Sequence, residues 1–128
     1  DLPDALRELS LYTFEHHWAD RPAQLRRWTM RIDGFVSCRG DYGGSRLVTR
    51  PFVFEGSELS LNVATSAIGS VALKLIGPDR TLAAHAIFGD SLDRRVVFKE
   101  GSAAALAGRP VVLDMTLRDA DLYSFRFL

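Results

Sequence analysis

The chain has 128 residues, of which 47% are hydrophobic and 25% charged, a composition typical of one globular domain that buries its own core without disulfides or metal. Its sixteen basic and sixteen acidic residues give a net charge of zero, which excludes the strongly basic composition of proteins that bind nucleic acid or anionic membranes. The sequence contains no run of about 18 apolar residues, so we expect no membrane-spanning helix.

The start of the chain leaves the cellular compartment open. The sequence begins at Asp1 with no signal peptide and no initiator methionine, as though cut from a longer protein. Residues 1–8 are predicted to form a linker or one short helical turn. The single cysteine, Cys38, excludes an internal disulfide, and its position in a predicted strand favours a buried, inert thiol.

Short segments with period-two alternation, or with many β-branched and aromatic residues, follow one another along the chain and predict strands. These segments are residues 9–14, 25–32, 35–39, 46–54, 59–63, 71–75, 82–88, 95–99, 111–117 and 122–127. Turn-forming residues separate them, including the Asp33-Gly34 dipeptide and the segments at residues 66–69 and 77–80.

The C-terminal part of the chain carries the clearest pattern. Residues 111–117 and 122–127 both alternate, and the polar segment 118–121 between them predicts a two-stranded hairpin. Residues 102–108 are predicted to be helical, with Ser102 at the N-cap and Gly108 after the last turn. We expect the aromatic residues of the strands to lie in the core, namely Trp28, Phe35, Phe52, Phe54, Phe98, Tyr123, Phe125 and Phe127.

About ten short strands and one helical turn predict an all-β fold, an antiparallel, jelly-roll-like β-sandwich. A parallel α/β fold is excluded because the sequence offers no crossover helices between its strands. We place the β-sandwich domain at residues 25–128. Residues 1–24, which include the strand at 9–14, are predicted to be a linker and a strand tail from a preceding module.

Several short motifs occur in an order that resembles a known module. They are RIDGFVS at 31–37, TRP at 49–51, LNVATS at 61–66, GS at 69–70, AGRPV at 107–111 and DADLYSF at 119–125. The resemblance spans residues 25–128 and is to the C-terminal β-sandwich that follows the catalytic propeller in bacterial proteins related to glycoside hydrolase family 32. It implies a jelly-roll-like accessory domain whose partner is a preceding propeller-type domain, with the catalytic carboxylates in that propeller.

Exposed aromatic side chains beside planar polar groups suit a sugar, which offers an apolar ring face and a rim of hydroxyl groups. Trp18 and Tyr42 lie in predicted loops, and Arg39, Asp41 and Arg46 lie near Tyr42 in sequence. These five residues are the candidate carbohydrate-binding site. Trp18 and Tyr42 suit packing against a neighbouring domain equally well, since large rings are enriched at such interfaces, and both interpretations stay open.

No segment predicts a catalytic, metal or cofactor site. The aspartate pairs Asp90 with Asp93 and Asp119 with Asp121 lie in predicted turns, where aspartate is common because it hydrogen-bonds the backbone, so we do not interpret them as a glycosidase acid–base pair. The loop at residues 15–20 has adjacent histidines but no third metal ligand at a recognised spacing.

Together these observations predict a non-catalytic accessory β-sandwich of a glycosidase-like protein, packed against a catalytic domain. The alternative is a carbohydrate-binding module that recognises a sugar through its loop aromatics. The first interpretation predicts a contiguous apolar patch between Leu9 and Trp18. The second predicts an exposed Trp18 or Tyr42 beside arginine and aspartate.

Overall fold

A computed structural model describes residues 7–18 and 20–128 of the chain. The described part is an antiparallel β-sandwich with one short helical turn, as the sequence predicts. Its strands are β1 (Glu8–Glu15), β2 (Gln24–Arg31), β3 (Cys38–Gly40), β4 (Ser45–Val48), β5 (Leu59–Ile76), β6 (Thr81–Ala83), β7 (Ser91–Arg95) and β8 (Val112–Phe127). The linker or helical turn predicted for residues 1–8 lies largely outside the described residues.

Two long strands, β5 and β8, pair along almost their whole lengths. The pairing runs antiparallel from Leu59 opposite Phe127 to Ile76 opposite Val112. The turn predicted at residues 66–69 and the hairpin predicted around residues 118–121 are therefore both wrong. Each pair of predicted strands is one continuous strand, and the two halves of β8 pair with β5 instead of with each other.

Both long strands bend at the same place, which explains these two errors. The β5–β8 register shifts between Thr65 and Ser70, and Asp119 on the facing strand has a φ of 42°. Gly69 is required there because a Cβ atom on it would overlap the carbonyl oxygen of Asp119. A bulge shared by two paired strands uses the same polar and small residues as a turn, so local sequence does not separate the two.

The bend divides the six-stranded sheet into two halves. In the first half, β3 pairs with the end of β8, and β7 pairs with the start of β5. In the second half, β4 pairs with the start of β8, and β6 pairs with the end of β5. Alternate residues of the two long strands from both halves meet in one core. Its largest fully buried side chains include Leu59, Leu61, Val63, Leu75, Leu113, Met115 and Leu117.

The aromatic side chains are less buried than the alternation predicts. Phe54 and Phe98 are in the core, and Phe52 and Phe127 pack at its margin. Trp28, Phe35 and Phe125 are exposed, and Cys38 is exposed as well. Phe35 lies in a turn, and Trp28 lies on a strand that does not cover the core. The prediction that both residues lie in the core is therefore wrong.

The helical turn is the 3₁₀ segment Ala103–Leu106, which buries Ala103 and Leu106 against the core. Ser102 occupies the N-cap position with extended backbone, but its side chain makes no capping hydrogen bond. Gly108 has a φ of 74°, the left-handed conformation predicted for the residue that ends the turn.

Strands β1 and β2 form a separate two-stranded sheet, with Glu8 opposite Arg31 and Glu15 opposite Gln24. The predicted boundary between residues 24 and 25 thus falls inside β2, after its first residue, and separates β1 from the strand with which it pairs over its full length. The predicted turn at Asp33-Gly34 is present, because the Gly34 amide donates to the Arg31 carbonyl at 3.0 Å. The next strand, β3, pairs with β8 and not with β2.

Candidate functional site

The β1–β2 hairpin carries large apolar side chains on both of its faces. Because directly opposed residues share a face, Leu9 and Leu11 lie beside Met30 and Trp28 on one side, which we call the first apolar patch. Met30 is half-buried, whereas Leu11 is 65% exposed. Leu9 and Trp28 are 43% and 49% exposed, so this patch is only partly covered.

The opposite face carries the second apolar patch, formed by Tyr12, Phe14 and Leu25. Phe14 and Leu25 are directly opposed in the strand pairing and are 60% and 66% exposed. The two patches lie on opposite faces, the first nearer the sandwich end of the hairpin and the second nearer the β1–β2 connection. Exposed apolar side chains grouped in this way make the hairpin the candidate interaction surface of the chain.

Trp18 lies in the connection between β1 and β2, beyond the second patch. Trp18 is 95% exposed. Its backbone has a φ of 68°, a conformation that residues other than glycine rarely adopt. The His17 ring packs edge-on against Trp18 at 4.6 Å and against Phe14 at 5.7 Å between ring centres. These contacts extend the second apolar patch to the hairpin tip.

The charged residues of the hairpin pair with one another. Arg26 lies 2.9 Å from Glu15, and Arg27 lies 2.5 Å from Glu8. The indole of Trp28 donates to the Thr13 hydroxyl at 2.8 Å. These polar groups around the apolar patches already have partners within the hairpin. Their burial against another surface would therefore leave few of them unpaired.

Arg31 joins the hairpin to the sandwich. Its guanidinium donates to the Asn62 side chain at 3.0 Å and to Asp90 at 2.8 Å. A third hydrogen bond of 3.2 Å goes to the carbonyl of Ser91, and the guanidinium lies 4.3 Å from the centre of the Tyr123 ring. The Arg31 side chain is only 14% exposed. This arginine holds the base of the hairpin against β5, β7 and β8.

The turn after β2 adds to the same junction. The Asn62 side-chain amide donates to the carbonyl of Ile32 at 2.7 Å, and the Ser124 hydroxyl donates to Asp33 at 3.0 Å. Asn62 is one of the few buried polar residues, and both ends of its side-chain amide are used. Local sequence does not single out Arg31 or Asn62, since their partners are distant along the chain.

Tyr42 lies in the turn between β3 and β4 and is 70% exposed. The carbonyl of Asp41 accepts hydrogen bonds from the amides of Gly44 at 3.1 Å and Asp119 at 2.9 Å, which fixes this turn against the bend in β8. The Asp41 residue predicted to bind sugar thus has a structural contact through its backbone. Arg39, on β3, lies 3.7 Å from Asp121.

Arg46 and Asp114 form a bidentate ion pair across β4 and β8, with both hydrogen bonds at 2.9 Å. The hydrogen bonds from Arg46 hold the pKa of the Asp114 carboxyl below its usual range, and the attraction of Arg46 and Lys74 adds to this effect against the cost of burial. The same pair raises the pKa of Arg46. The Arg46 guanidinium is therefore committed to a carboxylate of its own chain.

The five predicted carbohydrate-binding residues fall into two separate groups. Arg39, Asp41, Tyr42 and Arg46 lie on β3, β4 and their connection, while Trp18 lies at the hairpin tip. Among the residues that the structure describes, no hydrogen bond, ion pair or ring contact joins Trp18 to the other four.

The aspartates weighed as acid–base pairs are mostly held in ion pairs. Asp90 binds Arg31, and Asp93 binds both Arg7 and Arg126. Asp121 accepts a hydrogen bond of 2.8 Å from the Ser37 hydroxyl. Within residues 7–18 and 20–128, no group of three or more histidine, cysteine or acidic side chains has a metal-binding arrangement.

No protein-family model, no curated protein and no solved structure matches the chain. In the described part of the chain, no helix has the length and apolar character needed to cross a membrane.

Proposed function

We propose that this chain is a non-catalytic accessory β-sandwich that packs against another domain through its β1–β2 hairpin. The observation that carries the proposal is the pair of apolar patches on opposite faces of the hairpin, with Leu11, Phe14 and Leu25 each more than half exposed. An isolated two-stranded hairpin is marginally stable in water and gains stability when a further surface covers it. The apolar side chains between Leu9 and Trp18 are exposed, but they form two patches on opposite faces and not the one contiguous patch expected, so a partner that buries both has to enclose the hairpin.

The proposed partner is a propeller-type catalytic domain of a glycosidase-like protein. This part of the proposal rests on the motif resemblance over residues 25–128. The charges of the hairpin agree with an interdomain role, because Arg26 with Glu15 and Arg27 with Glu8 are already paired and leave little charge to be buried unpaired. The junction at Arg31 holds the hairpin base on the sandwich, so that a domain bound to the hairpin is also fixed relative to the sandwich.

Site-specific photo-cross-linking in the complete gene product tests this role. A photoreactive phenylalanine analogue replaces Phe14 in one variant and Leu25 in another, and a third variant carries it at Val97, which is similarly exposed on the sandwich. We expect the two hairpin positions to cross-link to residues outside this chain in the same polypeptide, and Val97 to remain unlinked. Cross-links that join only two copies of this chain, or none at all, would overturn the proposal.

Carbohydrate binding is the second candidate function, and the exposure of Trp18 and Tyr42 favours it. Against it, the guanidinium of Arg46 already binds Asp114 bidentately, and Arg39 lies near Asp121, so these groups offer a sugar fewer free donors than unpaired arginines would. Glycan-array binding of the chain, with Trp18→Ala and Tyr42→Ala in parallel, tests this function. Selective binding that either substitution abolishes supports it, and a folded chain that binds no glycan argues against it.

A further inference from the structure

The outer face of one sheet half carries an open groove of about 390 Å³. Ala72 on β5, Ala83 on β6 and Thr116 on β8 line it. Because these side chains are short, the sheet surface between them stays accessible. The groove is open to solvent, so a ligand would lie along it and would not be enclosed.

Cationic side chains line this groove from three directions. Arg46 comes from β4, Lys74 from β5 and Lys99 from the segment after β7. A backbone hydrogen bond of 2.9 Å from the Lys99 amide to the Ala83 carbonyl holds Lys99 beside β6. Lys74 and Lys99 are the only two lysines of the chain, so both fall on this one face.

The two lysines differ from most of the arginines in their surroundings. In the part of the chain that the structure describes, nine arginines lie within 4.0 Å of a carboxylate, and neither lysine does. Asp114, the acidic residue that lines the groove, is already bound by Arg46 through two hydrogen bonds. Lys74 lies opposite Asp114 in the strand pairing and also attracts its carboxylate, so the lining of three cations and one carboxylate keeps a net positive charge on a molecule whose net charge is zero.

A second open hollow, of about 570 Å³, shares Ala83 and Lys99 with this groove. It also contains Arg80 and Glu100, together with Asp79, which is paired with Arg109. The two hollows are neighbours, because Ala83 and Lys99 line both, and we call them together the trough. Lysine ammonium groups spaced along a trough match negative groups spaced along an elongated ligand.

We infer that this trough, from Arg46 and Lys74 through Lys99 to Arg80, binds an elongated ligand that carries carboxylate, sulfate or phosphate groups. The ammonium groups of Lys74 and Lys99 contact the anionic groups, while the small side chains of Ala72, Ala83 and Thr116 admit the ligand scaffold. The inference does not depend on the hairpin or on the proposed function. Since the whole molecule has no net charge, attraction of a polyanion has to come from a local cluster of positive charge, as on this face, and not from a general charge excess.

Titrations followed by amide chemical shifts test the inference and identify the anionic group. The probes are trigalacturonate for carboxylate, a heparin tetrasaccharide for sulfate and tripolyphosphate for phosphate, at an ionic strength of about 10 mM so that surface charges are weakly screened. We expect at least one probe to shift the amides of Ala72, Ala83 and Thr116, and added salt to weaken its binding. The probe that binds tightest assigns the anionic group.

Matched variants locate the binding site. Lys74→Gln and Lys99→Gln each weaken binding by about three- to fivefold, the loss expected for one exposed ion pair, while Lys74→Arg retains it. Arg50→Gln removes an exposed positive charge that does not line the trough, and leaves binding unchanged. The inference is overturned if no probe binds, or if Arg50→Gln weakens binding as much as the two lysine substitutions do.

Discussion

The hairpin and the sandwich use the same sequence pattern for opposite purposes. In β5, the alternating residues Leu59, Leu61 and Val63 are completely buried. In β1, the alternating residues Leu9 and Leu11 are 43% and 65% exposed. Burial in the sandwich stabilises the fold, whereas the exposed surface of the hairpin stabilises nothing until a partner covers it. Alternation of apolar and polar residues thus predicts that a strand has an apolar face. It does not predict whether the core of the same domain covers that face.

The two regions also differ in how they are held. The strands of the sandwich share a continuous ladder and one apolar core, so their order is maintained by many cooperating contacts. The hairpin pairs only with itself, and the junction to the sandwich depends on a few hydrogen bonds of Arg31, Asn62 and Asp33. We therefore expect the hairpin to open more easily than the sandwich.

The largest expected effect contrasts a leucine from each region. Leu61→Ala removes a fully buried side chain and should lower the free energy of unfolding by about 2–5 kcal/mol. Leu11→Ala removes an exposed side chain and should change it by less than about 0.5 kcal/mol. Urea denaturation of the two variants measures both values. Equal losses would mean that the hairpin surface is already covered within this chain.

The bend in the sandwich gives the next effect. Gly69→Ala places a Cβ against the backbone carbonyls of Asp119 and Arg118 and should destabilise the fold by about 1–3 kcal/mol. Gly43→Ala is the control, because its Cβ would lie 3.4 Å from its nearest neighbour, Asp41, and its φ is not positive. The same thermal or urea denaturation compares them. If both variants were equally stable, the close approach at the bend would not matter.

Arg31→Gln tests how the hairpin is attached. The substitution leaves Asn62 and Asp90 without their charged donor and should cost about 1–3 kcal/mol. Arg27→Gln, which breaks an exposed pair with Glu8, should cost only about 0.2–1 kcal/mol. Hydrogen exchange supplies the decisive measurement: amides of β1 and β2 should exchange faster in Arg31→Gln, with those of β5 little changed. Uniform acceleration across both regions would contradict the local anchoring role.

The smallest effect is a pH dependence confined to the sandwich. The Asp114 carboxyl has a lowered pKa in the folded chain, so its pairing with Arg46 stabilises the fold above the unfolded carboxyl pKa of about 4. That contribution is lost as the pH falls below about 4 and the folded carboxyl becomes protonated. Asp114→Asn should therefore reduce the drop in the urea midpoint between pH 6 and pH 3. An unchanged drop would show that other carboxylates cause it.

Local sequence was sufficient for much of the architecture. The strands β1 and β2, the Asp33-Gly34 turn and the helical turn at Ala103–Leu106 lie where the pattern predicts them. Each of these features depends on residues close together in the chain, whose backbone preferences act locally. The exposure of Trp18 and Tyr42 also agrees with their predicted places in loops.

Other features required partners that only the folded chain brings together. Asp119 and Gly69 look like turn residues, yet they form one bend because β5 and β8 pair on both sides of it. Arg31 acquires its role from Asn62 and Asp90, which lie 31 and 59 residues away along the sequence. Periodicity therefore determined the all-β class and most strand positions, because it is a local property. Tertiary structure decided which strands continue through a bend, which apolar faces stay exposed and that both lysines line one groove. Those outcomes depend on contacts between segments that are distant in the sequence.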